Sequence, residues 1–283
     1  MKNTRKQGLA LAAALTAAVA GLSSSLAADL PAHKSPHAPV VEAPLTHDWT
    51  GFHLGGFAGG SFANSSQGYS VSSTFLTANL PTLIPFVNGA GSQGLKLSGF
   101  DLGVEAGYDW KVANNFYLGV AGDLGWTNLG GSRTTSGIFP LVGLPFIINQ
   151  KLSADWRGSL RLRAGMTPLD NLLVYVTGGA AAGHFTYASS FWDNLVPPFA
   201  PGNETENFSR STLRAGWTLG TGAEWALSRN WSLTGEYRFS EYAAVTGTGI
   251  LPLQQPPSTA YLGHSSGAIR ENTLHIGIDY HYD

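Results

Sequence analysis

Thirteen charged side chains stand at alternating positions along this 283-residue chain: Asp101, Glu105, Asp109, Asp123, Asp155, Arg157, Arg161, Arg163, Arg214, Glu224, Glu236, Arg238 and Asp279. Acids and arginines spaced by two or four residues can do two kinds of chemistry when they line an enclosure. They can neutralise one another as ion pairs, because a desolvated charge is costly unless it is paired. They can also exchange partners and so pass ions. The expected network comprises Asp101, Glu105, Asp123, Arg157, Arg161, Arg163, Arg214, Glu224, Glu236, Arg238 and Asp279. Its expected centre is Glu105, Asp123, Arg161, Glu224, Glu236 and Arg238. Catalysis finds less support. A hydrolase needs a Ser, a His and an acid; His184, His264 and His275 qualify by residue type alone, and none sits in a GxSxG motif. No His pair has helical metal-ligand spacing. The absence of Cys excludes thiol-ligated metals and a disulfide framework. The expectation is a non-enzyme with no cofactor and no metal.

Such charges must be held by elements, and the elements are legible as period-2 alternation. From Ser98 to Trp110, Phe100, Leu102, Val104, Ala106, Tyr108 and Trp110 share one parity, with acids and glycines on the other. Phe116–Trp126, Ala154–Met166, Leu213–Leu227, Trp231–Phe239 and Thr273–Tyr282 repeat the pattern. Thr50–Phe62 is less sharp, and Leu172–Tyr187 is apolar on both faces. That makes eight strands, and all thirteen charges fall opposite the large apolar residues.

A soluble sandwich and a membrane barrel share this alternation, one with its apolar face inside, the other with it outside. Three features favour the barrel. Aromatics cluster at strand ends, and Trp110, Phe116, Trp126, Trp156, Trp225, Trp231, Tyr280 and Tyr282 are the expected interfacial girdle. Several strands run about 10–14 residues, longer than is usual in globular sheets. Tight turns (Lys111–Asn115, Thr167–Asn171, Ser228–Asn230) alternate with long connections (Ala63–Leu97, Thr127–Ser153, Ala188–Thr212, Ser240–Asn272), as in outer-membrane barrels. Composition agrees. Charged residues are only 12%, about half the soluble average, while a mean hydropathy of +0.00 excludes a bundle of membrane helices. The predicted fold is all-β, an eight-stranded antiparallel up-and-down transmembrane β-barrel.

The N-terminus reads as an export signal. Lys2, Arg5 and Lys6 precede an apolar Leu9–Leu22 stretch, and Ser25-Leu26-Ala27 supplies a small-x-small cleavage site. The expected organisation is signal peptide 1–27, a Pro- and His-rich periplasmic linker 28–48, and a barrel over 49–283. Removing the signal leaves thirteen Lys and Arg against 18 Asp and Glu, which argues against nucleic acid as a partner.

The motifs also carry a resemblance. Asp48-Trp49-Thr50-Gly51-Phe52-His53-Leu54-Gly55-Gly56 resembles the opening strand of the small outer-membrane immunogenic or opacity-type barrels of alphaproteobacteria, relatives of the OmpA transmembrane domain. Val174–Ala180 and Gly216–Trp225 are similar to that family's middle strands, Trp231–Tyr237 and Thr273–Tyr280 to its closing pair. The family's terminal aromatic, which the assembly machinery reads, has its counterpart in Tyr282, one residue before Asp283. The resemblance covers about Asp48 to Asp283, with no peptidoglycan-binding module expected. It implies location in the outer membrane of a Gram-negative bacterium. The expected partners are outer-membrane lipid and lipopolysaccharide, the barrel assembly machinery during biogenesis, and a host or surface ligand through the loops; the expected state is a monomer. The expected function is a structural barrel that supports envelope integrity and displays long extracellular loops as an adhesin or surface antigen. The alternative is a narrow porin-like channel for ions or small solutes. The apolar loop segments Phe75-Leu76, Leu83–Phe86, Ile138–Leu141 and Leu144–Ile148 either form an adhesive patch or pack on one another above the membrane, and the second reading is preferred.

Overall fold

Residues of alternating character point to opposite faces of a strand, and here the two faces become the inside and outside of a closed wall. The computed structural model describes residues 47–72, 83–140, 143–194, 204–253 and 259–282, all within the folded unit Pro44–Asp283. The expected signal peptide and nearly all of the linker lie outside the described residues, as does Phe75-Leu76.

The strands are β1 (Gly51–Ser66), β2 (Gly68–Val71), β3 (Gly94–Ala113), β4 (Phe116–Thr127), β5 (Gly130–Ile138), β6 (Pro145–Leu169), β7 (Leu172–Asp193), β8 (Glu204–Ala226), β9 (Trp231–Tyr242), β10 (Thr246–Pro252), β11 (Thr259–Ser265) and β12 (Ile269–Tyr282). Eight of them close a ring in the order β1-β12-β9-β8-β7-β6-β4-β3, with β3 returning to β1 and every neighbour antiparallel. The ring contains all eight expected strands. Partners followed once around it run Ser65, Ile269, Tyr242, Gly216, Ala181, Ser159, Asp123, Glu105 and Gly55, so the path returns to β1 ten residues lower. For eight strands that stagger requires a tilt of about 40°.

The outward face carries the apolar set. Phe116 and Trp126 stand ten residues apart on β4, as do Trp156 and Met166 on β6, and all four are exposed. At about 3.3 Å per residue and this tilt, the band between them is roughly 25 Å tall, which matches an outer-membrane hydrocarbon core. Trp110, Phe116, Trp225, Trp231, Tyr280 and Tyr282 gather at the end with the short turns, whereas Trp126 and Trp156 pair in register toward the other. Inside, glycines make room for charges. A Cβ at Gly55 would lie 1.9 Å from Asp279 Oδ1, and one at Gly119 1.9 Å from Asp109 Oδ1.

Among the thirteen charges, parity fails at one. A bulge between Ala154 and Trp156 in β6 flips the alternation. Ala154 turns inward and is buried, and Asp155 is expelled to the exterior with its side chain 59% exposed. Asp155 is therefore not one of the inward charges; it pairs instead with His184 Nδ1 at 2.8 Å.

Strands also extend into what sequence patterning assigns to loops. β6, β7 and β8 reach 25, 22 and 23 residues, because their upper halves pair with one another and with β5. Above the barrel, β10, β11 and β2 form a second, three-stranded sheet, and a helix at Ile84–Gly91 lies beside β2. Asn88 Oδ1 and Ser92 Oγ of that segment accept hydrogen bonds from the Val71 and Tyr69 amides. Many of the apolar loop residues form the core of this head, while Phe86 and Ile138 remain exposed. Leu83, Val87, Phe139, Phe146 and Ile148 are fully buried against Phe191, Leu251 and Leu262.

Candidate functional site

The enclosed face of the ring stacks its charges in three layers between two apolar plugs. At the end with the short turns, Trp49, Tyr117, Leu173, Tyr175 and Ala226 form the lower plug. Directly above, Arg163 binds Glu224 and approaches Asp109 Oδ2 at 3.3 Å, with its guanidinium 3.9 Å from the Tyr175 ring centroid. Thr234 donates to Asp279 in the same layer. His281 Nε2 lies 2.7 Å from Glu224 Oε1, and the Ser232 hydroxyl donates to that same oxygen at 2.5 Å.

The middle layer holds two arginines against three carboxylates. Arg161 binds Glu105, reaches Asp123 at 3.2 Å and Glu236 at 2.5 Å. Arg238 contacts the same three, Asp123 at 3.1 Å, Glu236 at 3.0 Å and Glu105 at 3.8 Å. Tyr175 donates a further hydrogen bond to Glu236 at 3.2 Å. In the upper layer Arg157 binds Asp101 and Glu271 together, and Ser61 donates to Asp101. His275 Nε2 stands 3.5 Å from Asp101 while its ring stacks on Phe57 at 4.6 Å. The upper plug follows, built from Leu97, Leu129, Leu152, Phe185, Tyr187 and Tyr242.

Shared hydrogen bonds to paired charges are what a low-dielectric interior demands. Little space is left over. The lumen voids beside these layers have cavity volumes of about 30 and 20 Å³, room for one or two waters each.

The expected centre of six therefore divides. Glu105, Asp123, Arg161, Glu236 and Arg238 meet in one cluster, whereas Glu224 belongs to the layer below with Arg163. Asp101 and Arg157 form the layer above, and Asp279 bonds to Thr234 in the lower one. Arg214 joins none of them; it sits half-buried toward the upper rim, its Nε without a hydrogen-bond partner among the described residues. Sequence reasoning missed Glu271, Ser61 and His53, whose Nδ1 lies 3.7 Å from Asp109 Oδ2 in the lower layer. Glu271 shares parity with Thr273, His275 and Asp279, so carrying the β12 alternation four residues upstream of His275 would have found it.

The His candidates do not assemble a hydrolase. His184 is outside on Asp155, His264 is in the head on Glu206 at 2.8 Å, and His275 is in the upper layer. Ser232, His281 and Glu224 do meet, but both oxygens address the same imidazole nitrogen. Such an arrangement lacks the two-ended imidazole that relays a proton from Ser to acid. Among the described residues, no three His, Asp or Glu side chains converge as metal ligands do.

A family model for the outer membrane protein β-barrel domain matches residues 14–281. The 31 kDa outer-membrane immunogenic protein of Brucella melitensis is 31% identical over 221 residues, covering 77% of this chain and 81% of the relative, and its Brucella suis counterpart matches equally. Among solved structures, Ail, the attachment invasion locus protein of Yersinia pestis, aligns at 14% identity over 80% of this chain and 99% of its own, with a TM-score of 0.32. OprG from Pseudomonas aeruginosa aligns at 10% identity over 84% and 100%, with a TM-score of 0.37.

Proposed function

The chain belongs to the outer membrane protein β-barrel domain family, in the outer membrane of a Gram-negative bacterium, and from that premise we propose that it is a sealed barrel whose task is to anchor and display its extracellular head. The observation that carries this reading is the lumen: three layers of ion pairs between two apolar plugs, with voids of only about 30 and 20 Å³. An ion crossing it would have to break paired, desolvated charges layer by layer and then pass Phe185 and Tyr187, both fully buried. The polar interior acts as a rigid strut that fixes the shape of the wall, and the wall holds the head.

The head supports display over adhesion through greasy loops. Phe139, Phe146 and Ile148 are spent on its own core, which withdraws most of the described apolar loop residues from an adhesive role, although Phe86 and Ile138 stay exposed. A folded head rising above the membrane also suits a surface antigen, and the Brucella relatives bear the description immunogenic.

The test is conductance of the refolded mature protein in a planar lipid bilayer, with the mobility difference between unheated and boiled gel samples as the folding control. The expected result is a folded, electrically silent protein. Reproducible ion-selective steps that change in Arg161→Ala or Glu105→Ala would overturn the sealed-barrel reading in favour of a channel.

A further inference from the structure

The lower plug is built partly by residues that do not belong to the wall. His47 and Trp49 precede β1, yet both side chains are buried in the mouth that the short turns surround. Trp49 is 1% exposed and packs with Tyr117 of β4, Leu173 and Tyr175 of β7, and Ala226 of β8. The His47 ring lies edge-on to Trp49 and His281, with centroids 4.3 and 4.8 Å away. Short turns face the periplasm in outer-membrane barrels, so this segment closes the lumen from the periplasmic side. Two local features fold it inward. Asp48 Oδ1 accepts a hydrogen bond from the Thr50 amide at 2.9 Å, an Asx turn. Gly51 then takes a φ of +130°, where a Cβ would stand 2.9 Å from the Tyr282 carbonyl oxygen, so the reversal needs glycine. Strand pairing begins only at Gly51, and residues 47–49 are held by their side chains rather than by a ladder.

The seat of His47 suits a neutral ring. Neither of its nitrogens makes a hydrogen bond of normal geometry among the described residues. The groups that face it are His281 of β12, Glu224 of β8, Asp48 beside it and the Ser228 backbone in the turn between β8 and β9. Burial and His281 oppose a charge on the ring and hold its pKa below the ordinary 6.5. Glu224 would favour that charge, but its carboxylate is already engaged by Arg163, His281 and Ser232. A proton on His47 therefore costs the packed form more than it costs a hydrated one.

We propose that residues 47–49 are a pH-operated stopper: the neutral His47 ring seats Trp49 in the periplasmic mouth, and protonation of His47 releases both and wets the charge layer above. This deepens the sealed-barrel reading at its lower end. The three charge layers and the upper plug stay in place when the stopper leaves, so a barrel that conducts and a stopper that never moves are separate results.

The chain contains no cysteine, so a single introduced thiol can report on the seal. Ala226→Cys places one against Trp49, and Thr50→Cys places a control at an exposed position. Labelling rates with a water-soluble maleimide are measured on the refolded mature protein in detergent at pH 7.5 and 5.5. The ratio of the two rates cancels the pH dependence of the thiol itself. With the ordinary 6.5 restored to His47 on release, this drop in pH raises the open population by up to about tenfold. The expected result is a rise of that order in the ratio, no rise when His47→Gln is added, and a high ratio at both pH values when Trp49→Ala is added. Every variant is checked for folding by the gel-mobility difference. A ratio that ignores pH, an equal rise with His47→Gln, or continued protection of the thiol in folded Trp49→Ala would overturn the assignment.

Discussion

Replacing Arg161 with Met is the sharpest test of how the barrel interior is built. The side chain is fully buried and contacts Glu105, Asp123 and Glu236. Met keeps most of its length and apolar stem, so the change removes charge and hydrogen bonds with little loss of volume. Three carboxylates then face Arg238 alone. Removing one partner of a buried ion pair costs about 3–5 kcal/mol, because the stranded charges are held out of water. For a protein of this size that corresponds to a fall of roughly 6–20 °C in the unfolding midpoint, read from the temperature at which the fast-migrating folded band disappears on a gel. The double variant R161M/E236Q removes one charge of each sign. It should regain a substantial part of the loss, so the two substitutions will not add. A loss below about 1 kcal/mol for R161M, the value typical of solvated ion pairs, or strict additivity in the double variant, would mean that water fills the lumen and would refute the dry, mutually neutralised interior.

Phe185→Ala empties a fully buried position in the upper plug and should cost about 3–5 kcal/mol in the same gel assay. Asp155→Asn should change stability by less than about 0.5 kcal/mol, since its pair with His184 is exposed at the bulge; a core-sized loss would show that the expelled position is misassigned. His47, which precedes β1 and packs edge-on against Trp49 and His281, has its pKa held below the ordinary 6.5 by burial and by His281. Its neutral form is thus favoured in the folded state, so its contribution is present above pH 6.5 and is lost as the pH falls below it. The unfolding midpoint should drop between pH 7.5 and 5.5, and by less in His47→Gln; equal slopes in the two proteins would remove this link.

Much of the architecture is local in origin and so could be read directly from the chain. Whether Phe116, Leu118 and Val120 face one way and Tyr117 and Ala121 the other depends only on the pleat of a strand. The eight ring strands, their tight turns and the aromatic residues at their ends are therefore legible without partners. The choice of barrel over sandwich required three more local facts, the aromatics at strand ends, the length of the alternating runs and the alternation of tight turns with long connections. Parity was a weaker guide where the backbone departed from regularity. One bulge expelled Asp155 and turned Ala154 inward, and nothing in the residues on either side of it announces that extra step.

Contacts across the lumen belong to another class. The ten-residue stagger of the closed ring sets which carboxylate arrives beside which guanidinium. It brings Arg161 of β6 to Glu105 of β3 and Glu236 of β9, but carries Glu224 of β8 down to Arg163. No spacing along the chain encodes that stagger, because it is a property of the closure. The head is likewise a product of assembly, since Val87, Phe139, Phe191 and Leu262 come from four separate connections and acquire a common core only when the wall beneath them brings their ends together. Sequence alone determined the two faces of each strand, through a repeat of two residues. Closure of the ring decided which charges neutralise one another and which loop residues escape water, because both depend on distances between strands that are far apart in the chain.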